Sequence, residues 1–349
     1  MSAGRAPVLY AEFDDLEIVA PPRAPGDGLP LCAVVRNEMY FLPAFLEHYR
    51  RMGVGHFMIV DDQSDDGTGA FLRDQPDVML MGSARRYGDL VVPRTGPVAG
   101  TEIRMELIWK SLLPARFAPD RWSVLADADE FVVLPPGAGL PEVAGLADRM
   151  EARCVTGVML DVYPRRLEEF EQEGPFDLGA EWFFDGETHL QLRAGRDPRV
   201  AYPGARARLM AELGLARWSF RDRLNRLTGK RRYPRYNMLQ KPFLRKWRTD
   251  DSMRDAHRCT LEPTPDLLLP LRHFKFNADS YRRIADAISL GQYLGGSHEY
   301  AALDRVLKEM KTQNHPFLYD RSREAGSYES FAATGNATLR PLEGRGSQR

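Results

Sequence analysis

The chain has 349 residues, 28% charged and 43% hydrophobic, a composition typical of a globular protein long enough to bury a sizeable core. Its formal net charge is −1; no apolar run is long enough to span a membrane, and Met1 to Ala20 carries acids where a signal peptide needs an apolar stretch. Three scattered cysteines, Cys32, Cys154 and Cys259, fit neither a disulfide framework nor a zinc site, so a cytoplasmic protein is expected.

Residues 1–28 are loosely patterned and end in a Pro- and Gly-rich stretch, Ala20 to Gly28, which reads as a leader over the surface. Leu31 to Val35 predicts a short buried strand with Arg36-Asn37-Glu38 at its carboxyl end. Phe41, Leu42, Phe45, Leu46, Tyr49 and Met52 recur at the helical period, Pro43 is tolerated in the first turn and Gly53 supplies a stop. Asn37 and Glu38 also suit caps for that helix.

Phe57 to Val60 predicts a second strand, ending in Asp61-Asp62-Gln63-Ser64-Asp65-Asp66-Gly67-Thr68. Those residues suit a capped turn before a short helix through Phe71 and Leu72. Val78 to Met81 predicts a third strand and Glu102 to Leu113 a helix. In Trp122 to Leu134, an apolar run breaks into Asp127, Asp129 and Glu130 and then returns to Phe131, Val132, Val133 and Leu134. Burying an unpaired charge is costly, so the acids belong at the mouth of a sheet rather than inside it. Asp127 and Asp129 could both face one hard cation such as Mg²⁺ or Mn²⁺, or could form a solvated turn.

Strand alternates with helix, so the expected fold is α/β with a mostly parallel sheet covered on both faces. Parallel strands present their carboxyl ends at one edge, where ligands of open α/β sheets bind. The clusters at 36–38, 61–62 and 127–129 should converge there.

After Leu134 the pattern thins. Val155 to Val162 predicts a strand, and 168–174 an acidic loop. Leu209, Leu213, Phe220, Leu224 and Leu227 fall on one helical face. Leu267 to Phe276 predicts a late strand carrying His273 and Lys275, Ser280 to Met310 a helix broken at Gly295-Gly296, and 332–349 a mobile tail. From Arg193 to Arg248, 17 Lys and Arg face 3 Asp and Glu, a local charge of +14 that leaves −15 to the remainder. This basic stretch reads as a solvated insertion, as a surface for an anionic glycan, lipid-linked acceptor or membrane, or as a nucleic-acid surface. No recognised nucleic-acid motif accompanies it.

Arg36-Asn37-Glu38, Val60-Asp-Asp-Gln-Ser-Asp-Asp-Gly-Thr68 and Leu125-Ala-Asp-Ala-Asp-Glu-Phe131, in this order, resemble the family-2-like bacterial glycosyltransferases with a GT-A fold. The likeness is close over about 30–135 and thinner beyond, carried by Gln240 to Trp247, His257 and Leu271 to Phe276. It implies a nucleotide-sugar donor, usually a uridine diphosphate sugar, bound by 29–135, and an acceptor side in 136–331. It further implies that Arg36, Asn37, Glu38, Asp61 and Asp62 line the nucleotide site, with Asp62 the better match to the base contact. Asp127 would approach ribose or metal, Asp129 would coordinate Mn²⁺ or Mg²⁺, His273 would complete the metal shell and Lys275 would contact the diphosphate. The expected reaction is transfer, with inversion, to a glycan or polysaccharide precursor, at the inner membrane face if the acceptor is lipid-linked.

Inversion needs a group to take the acceptor proton. The family often supplies it from a Glu-Asp pair that this chain lacks; Asp185 and Glu187, after the aromatics Trp182 to Phe184, are the preferred substitutes, and Asp161 is next. Two rival readings are a sugar-phosphate nucleotidyltransferase and a non-catalytic nucleotide- or glycan-binding protein. The first normally has a Gly-rich basic loop where this chain has Arg36-Asn37-Glu38.

Overall fold

The computed structural model describes residues 9–170, 174–193, 196–200, 203–234, 238–290 and 294–339. Its centre is a ten-stranded mixed sheet. The strands are β1 (Glu17–Ala20), β2 (Leu29–Val35), β3 (Val54–Asp61), β4 (Val78–Gly82) and β5 (Trp122–Leu125), then β6 (Glu130–Val132), β7 (Cys154–Asp161), β8 (Gln240–Lys246), β9 (Leu267–His273) and β10 (Thr338–Leu339). Their order across the sheet is β1-β4-β3-β2-β5-β8-β7-β9-β10, with β6 paired to β9. From the pairings, β2, β3, β4, β5, β7 and β9 run one way and the other four oppose them. Six carboxyl ends therefore share one rim. The amino ends of the opposing β6 and β8 join them there.

Both faces are covered. On one, Leu31, Ala33 and Val35 of β2 pack with α1 (Leu42–Arg51) and α4 (Leu140–Arg149). On the other, Cys32, Met58 and Val60 pack with Ile108, Trp109 and Leu112 of α3 (Met105–Phe117), whose place in the chain follows α2 (Thr68–Asp74). Alternate residues of one strand serving opposite cores is the period-two rule at work. Gly53 ends α1's turn at φ 92°, and a Cβ there would meet the Pro141 ring at 2.6 Å, so this stop has to be glycine.

α1 also does something its periodicity does not announce. His48 bonds the Val132 carbonyl at 2.9 Å and Tyr49 donates to the Glu130 carbonyl at 2.9 Å, which fixes β6 and its acids at the rim.

Several expectations change. The leader supplies edge strand β1, and its Tyr10 and Leu16 are core residues, because a sheet edge left bare at β4 would expose unpaired backbone groups. Residues 29–135 and 136–331, read from the sequence as a donor half and an acceptor half, both contribute strands to the one sheet. The tail is ordered as far as Leu339, where β10 pairs β9; 340–349, like 1–8, lie outside the described residues. The supposed acidic loop opens with a short helix, Leu167–Phe170, and its 171–173 are also outside. The single face drawn through Leu209 and Leu227 is two helices, α5 (Ala205–Glu212) and α6 (Phe220–Leu227), separated at Gly214, whose φ is 74°. Gly295 and Gly296 fall inside α8 (Leu294–Gln313), which follows α7 (Ser280–Leu290). Among the described residues no helix is long and apolar enough to cross a membrane.

Candidate functional site

The rim carries a dense network of ion pairs. It starts at the turn between β5 and β6, where the Asp127 carbonyl accepts from Glu130 N at 3.0 Å and Glu130 Oε2 accepts from Asp127 N at 3.0 Å. This tight turn sends Asp127 and Asp129 to different partners. Asp127 is held by Lys110 Nζ from α3 at 3.0 Å and by Lys241 Nζ from β8 at 2.7 Å; Lys110 also pairs Glu106, and Lys241 reaches Glu130 at 2.5 Å. Burial works against the charge on Asp127, but the two ammonium groups outweigh it and bring its carboxyl well below the usual range.

Asp129 is buried and accepts from Lys275 at 2.8 Å, with Arg283 Nη1 at 3.2 Å and His273 Nε2 at 4.0 Å. Burial opposes its ionisation too, and Lys275, Arg283 and His273 together drive its carboxyl far down. His273 Nδ1 stands 2.6 Å from Asp161, whose other oxygen accepts from Arg206 Nε at 2.6 Å; Arg206 in turn pairs Glu299. Burial raises Asp161, but Arg206 and then His273 lower it further, to about 2. Registers explain the grouping: His273 of β9 lies opposite Glu130 of β6 on one side and Asp161 of β7 on the other.

The loop after β2 closes onto the same place. Arg283 Nη2 donates to Glu38 Oε1 at 2.9 Å, and Arg282 Nη2 to the Asn37 carbonyl at 3.0 Å. Asn37, in the left-handed region at φ 52°, exchanges two hydrogen bonds with Asp65 at 2.8 and 2.9 Å. Arg36 donates to the Asp62 carbonyl at 2.8 Å. The clusters after β2, β3 and β5 are thus joined at one edge, as the parallel pattern requires. Asn37 and Glu38 do not cap α1 with their side chains, and no side chain caps that helix.

Two acids here have an unmet acceptor. Glu38 Oε2 is buried and has no hydrogen-bond partner among the described residues; burial pushes its carboxyl up, to about 7, against the pull of Arg283. Asp62 is 2% exposed, with Oδ1 accepting from Tyr87 N at 3.1 Å and Arg86 Nε 3.3 Å away, while Oδ2 has no partner among the described residues. Burial raises its carboxyl to about 6, the Tyr87 amide offsetting part of the rise. Its neighbour Asp61 serves the turn instead, accepting from Ser64 N at 3.1 Å and Ser64 Oγ at 2.5 Å.

Two of the three residues expected as general base, Asp185 and Asp161, are engaged by other side chains. Asp185 joins a second buried network, where it accepts from Tyr163 Oη at 2.7 Å and Arg208 Nε at 2.9 Å. Asp161 orients His273, while Glu187 lies 3.7 Å from Arg321 and keeps a buried Oε2 with no hydrogen-bond partner among the described residues. Phe183 and Phe184 are core residues, the latter with its ring tilted against Phe331. Lys275, expected at the diphosphate, pairs with Asp129.

Of the three residues expected around a metal, Asp127 lies on a different branch of the network from Asp129 and His273. Both oxygens of Asp127 are held by lysines, and among the described residues no three His, Cys, Asp or Glu side chains gather around a point. Asp129 and His273 could hold a cation between them: Nε2 faces the carboxylate while Nδ1 is fixed by Asp161, the outer-sphere arrangement common to metal-binding histidines. Two protein donors suit Mg²⁺ or Mn²⁺ when substrate phosphates and water supply the rest of the shell.

Lys110, Lys241, Glu130, Arg206 and Arg283 were missing from the expected site. Lys241 lies within the Gln240 to Trp247 stretch that carries the thinner likeness, and Glu130 within the acidic turn itself. Arg283 has no sequence signal beyond being one charge on an amphipathic helix. No known protein-family model matches the chain, and no curated protein matches it significantly.

Proposed function

We propose that the protein is a metal-dependent glycosyltransferase of GT-A type that moves a sugar from a nucleotide donor, most simply a uridine diphosphate sugar, to a glycan or lipid-linked acceptor. The observation that carries this reading is the meeting of the β2, β3 and β5 tips, with Asp62 and Asp129 on the same rim. Asp62 offers a buried acceptor with an open lone pair, suited to the ring N–H of uracil. Asp129 and His273 would hold the divalent ion, and Lys275 and Arg283 stand beside them to take diphosphate oxygens. Bound there, the ion would act as a Lewis acid on charge growing at the leaving diphosphate.

With Asp161 and Asp185 engaged, Glu38 is the better proton acceptor. Its Oε2, without a hydrogen-bond partner among the described residues, and its carboxyl raised by burial to about 7 suit general base work. A binding-only protein is the second reading, favoured by the engagement of Asp161 and Asp185.

The test is calorimetric titration of uridine diphosphate, with and without Mn²⁺, into the wild type and Asp129→Asn. The transferase reading expects metal-dependent binding in the wild type and its loss in the variant. Equal, metal-independent binding by both would refute it. Release of uridine diphosphate from a donor sugar separates enzyme from binding module, since the latter hydrolyses nothing.

A further inference from the structure

The basic stretch divides into two populations. Arg206, Arg208, Lys241 and Arg245 are buried, and the first three neutralise acids of the interior. Charge gathers instead over 217–232, where the chain carries seven Lys and Arg against one acid, Asp222, a local +6; of the seven, Arg231 pairs Asp222 and Arg232 pairs Asp320. At its centre lies α6, and this helix is inside out. Phe220 is 84% exposed, Leu224 50% and Leu227 84%, all on one stripe at positions i, i+4 and i+7. The polar Asp222 and Asn225, on the opposite side, are the partly covered residues.

No residue of α6 is buried, so packing does not hold it. Local bonds do: Ser219 caps it by accepting from Asp222 N at 3.1 Å, Thr228 Oγ1 donates to the Leu224 carbonyl at 2.9 Å, and the Asn225 carbonyl accepts from Lys230 N at 2.9 Å. A helix this short is marginal in water without a surface to lie on.

We propose that α6 docks in the headgroup region of an anionic lipid bilayer. Phe220, Leu224 and Leu227 enter the acyl boundary, and Arg217, Arg221 and Arg223 snorkel to the phosphates. A second copy of the chain is a poor occupant, because +6 would meet +6 and three side chains fall far short of the roughly 1,200 Å² that a stable interface buries. Nucleic acid would satisfy the arginines and leave the apolar stripe in water. An anionic bilayer answers both features at once. The proposal is independent of the transferase chemistry.

The full-length protein is floated with vesicles of phosphatidylcholine, alone or mixed with phosphatidylglycerol, beside the double variants Phe220→Ser/Leu227→Ser and Arg221→Gln/Arg223→Gln. All four side chains are exposed, so both variants keep the fold. The expected result is wild-type flotation with the anionic vesicles only, weakened by salt and not abolished by inorganic phosphate at equal ionic strength. Each double variant should lose about tenfold or more in vesicle affinity. Failure to float with anionic vesicles overturns the proposal. Equal flotation by the serine variant overturns it too, since charge alone would then explain binding. So does displacement by phosphate, which would mark a site for the free anion, or by polyglutamate as effectively as by soluble lipid, which would mark an acidic protein partner.

Discussion

The imidazole of His273 meets the Asp161 carboxylate at 2.6 Å through Nδ1. A carboxylate held ionised by Arg206 can only accept, so Nδ1 carries the proton of this bond, and in the ring form that a cation requires the lone pair would be on Nε2, facing Asp129. Asp161 therefore sets the tautomer that a cation would need. Asp161→Asn keeps the shape and removes the charge. The expected outcome is a ten- to hundredfold loss of Mn²⁺ affinity in a metal titration, the usual cost of an altered outer-sphere partner. Loss of stability with unchanged Mn²⁺ affinity would make the pair purely structural.

Lys241 is the hinge of the Asp127 side of the network. Removing it leaves Glu130, 1% exposed, without its cation, whereas Asp127 keeps Lys110. Breaking a buried pair by deleting one partner typically costs about 3–5 kcal/mol. Lys241→Met should lower the urea stability by that order, and adding Glu130→Gln should recover part of it. A double-mutant cycle with no coupling would show that the two side chains do not share this pair.

How much of this was legible beforehand follows from what each signal measures. β2, β3, β4 and α1 announce themselves because their apolar residues repeat at the period of the element, and the shared rim follows from parallel strands alone. β8 was hidden by its own charges: Lys241, Arg245 and Lys246 break the apolar run, yet the first two are buried and paired or enclosed by the fold. The basic stretch misled for the same reason, since composition counts charge without saying which side of the surface it faces. Asp185 looked like a base because it follows aromatics. Only the register of Phe183–Asp185 against Ser322–Glu324 delivers it to Tyr163 and Arg208.

Glu38 can be separated from the groups that merely hold the rim together. Glu38→Gln keeps an acceptor for Arg283 and removes the ability to take a proton. If Glu38 is the base, transfer should fall by about 10²–10⁴ while uridine diphosphate binding stays within a fewfold of wild type. Wild-type transfer should also rise with pH through about 7. Binding and transfer falling together would assign Glu38 to nucleotide recognition instead.

Asp62 makes a prediction whose sign is fixed by burial. Its carboxyl is raised in the fold from an ordinary 3.8 to about 6, so the native state binds this proton more tightly than the unfolded chain. The associated stability is complete below about pH 4 and is lost as pH rises through 6. Two pH units correspond to roughly 3 kcal/mol. Asp62→Asn has no proton to lose, so the stability of the wild type relative to the variant should fall by that order between pH 4 and pH 7, measured by urea unfolding at each pH. Nucleotide binding should run the opposite way. A uracil N–H needs the ionised Oδ2, so wild-type affinity for uridine diphosphate should strengthen through pH 6, with release of a proton, and the variant should lack that step. A stability difference independent of pH would mean that the Asp62 carboxylate is better solvated than its burial implies. A pH-dependent stability without the matching step in binding would place the nucleotide elsewhere on the rim.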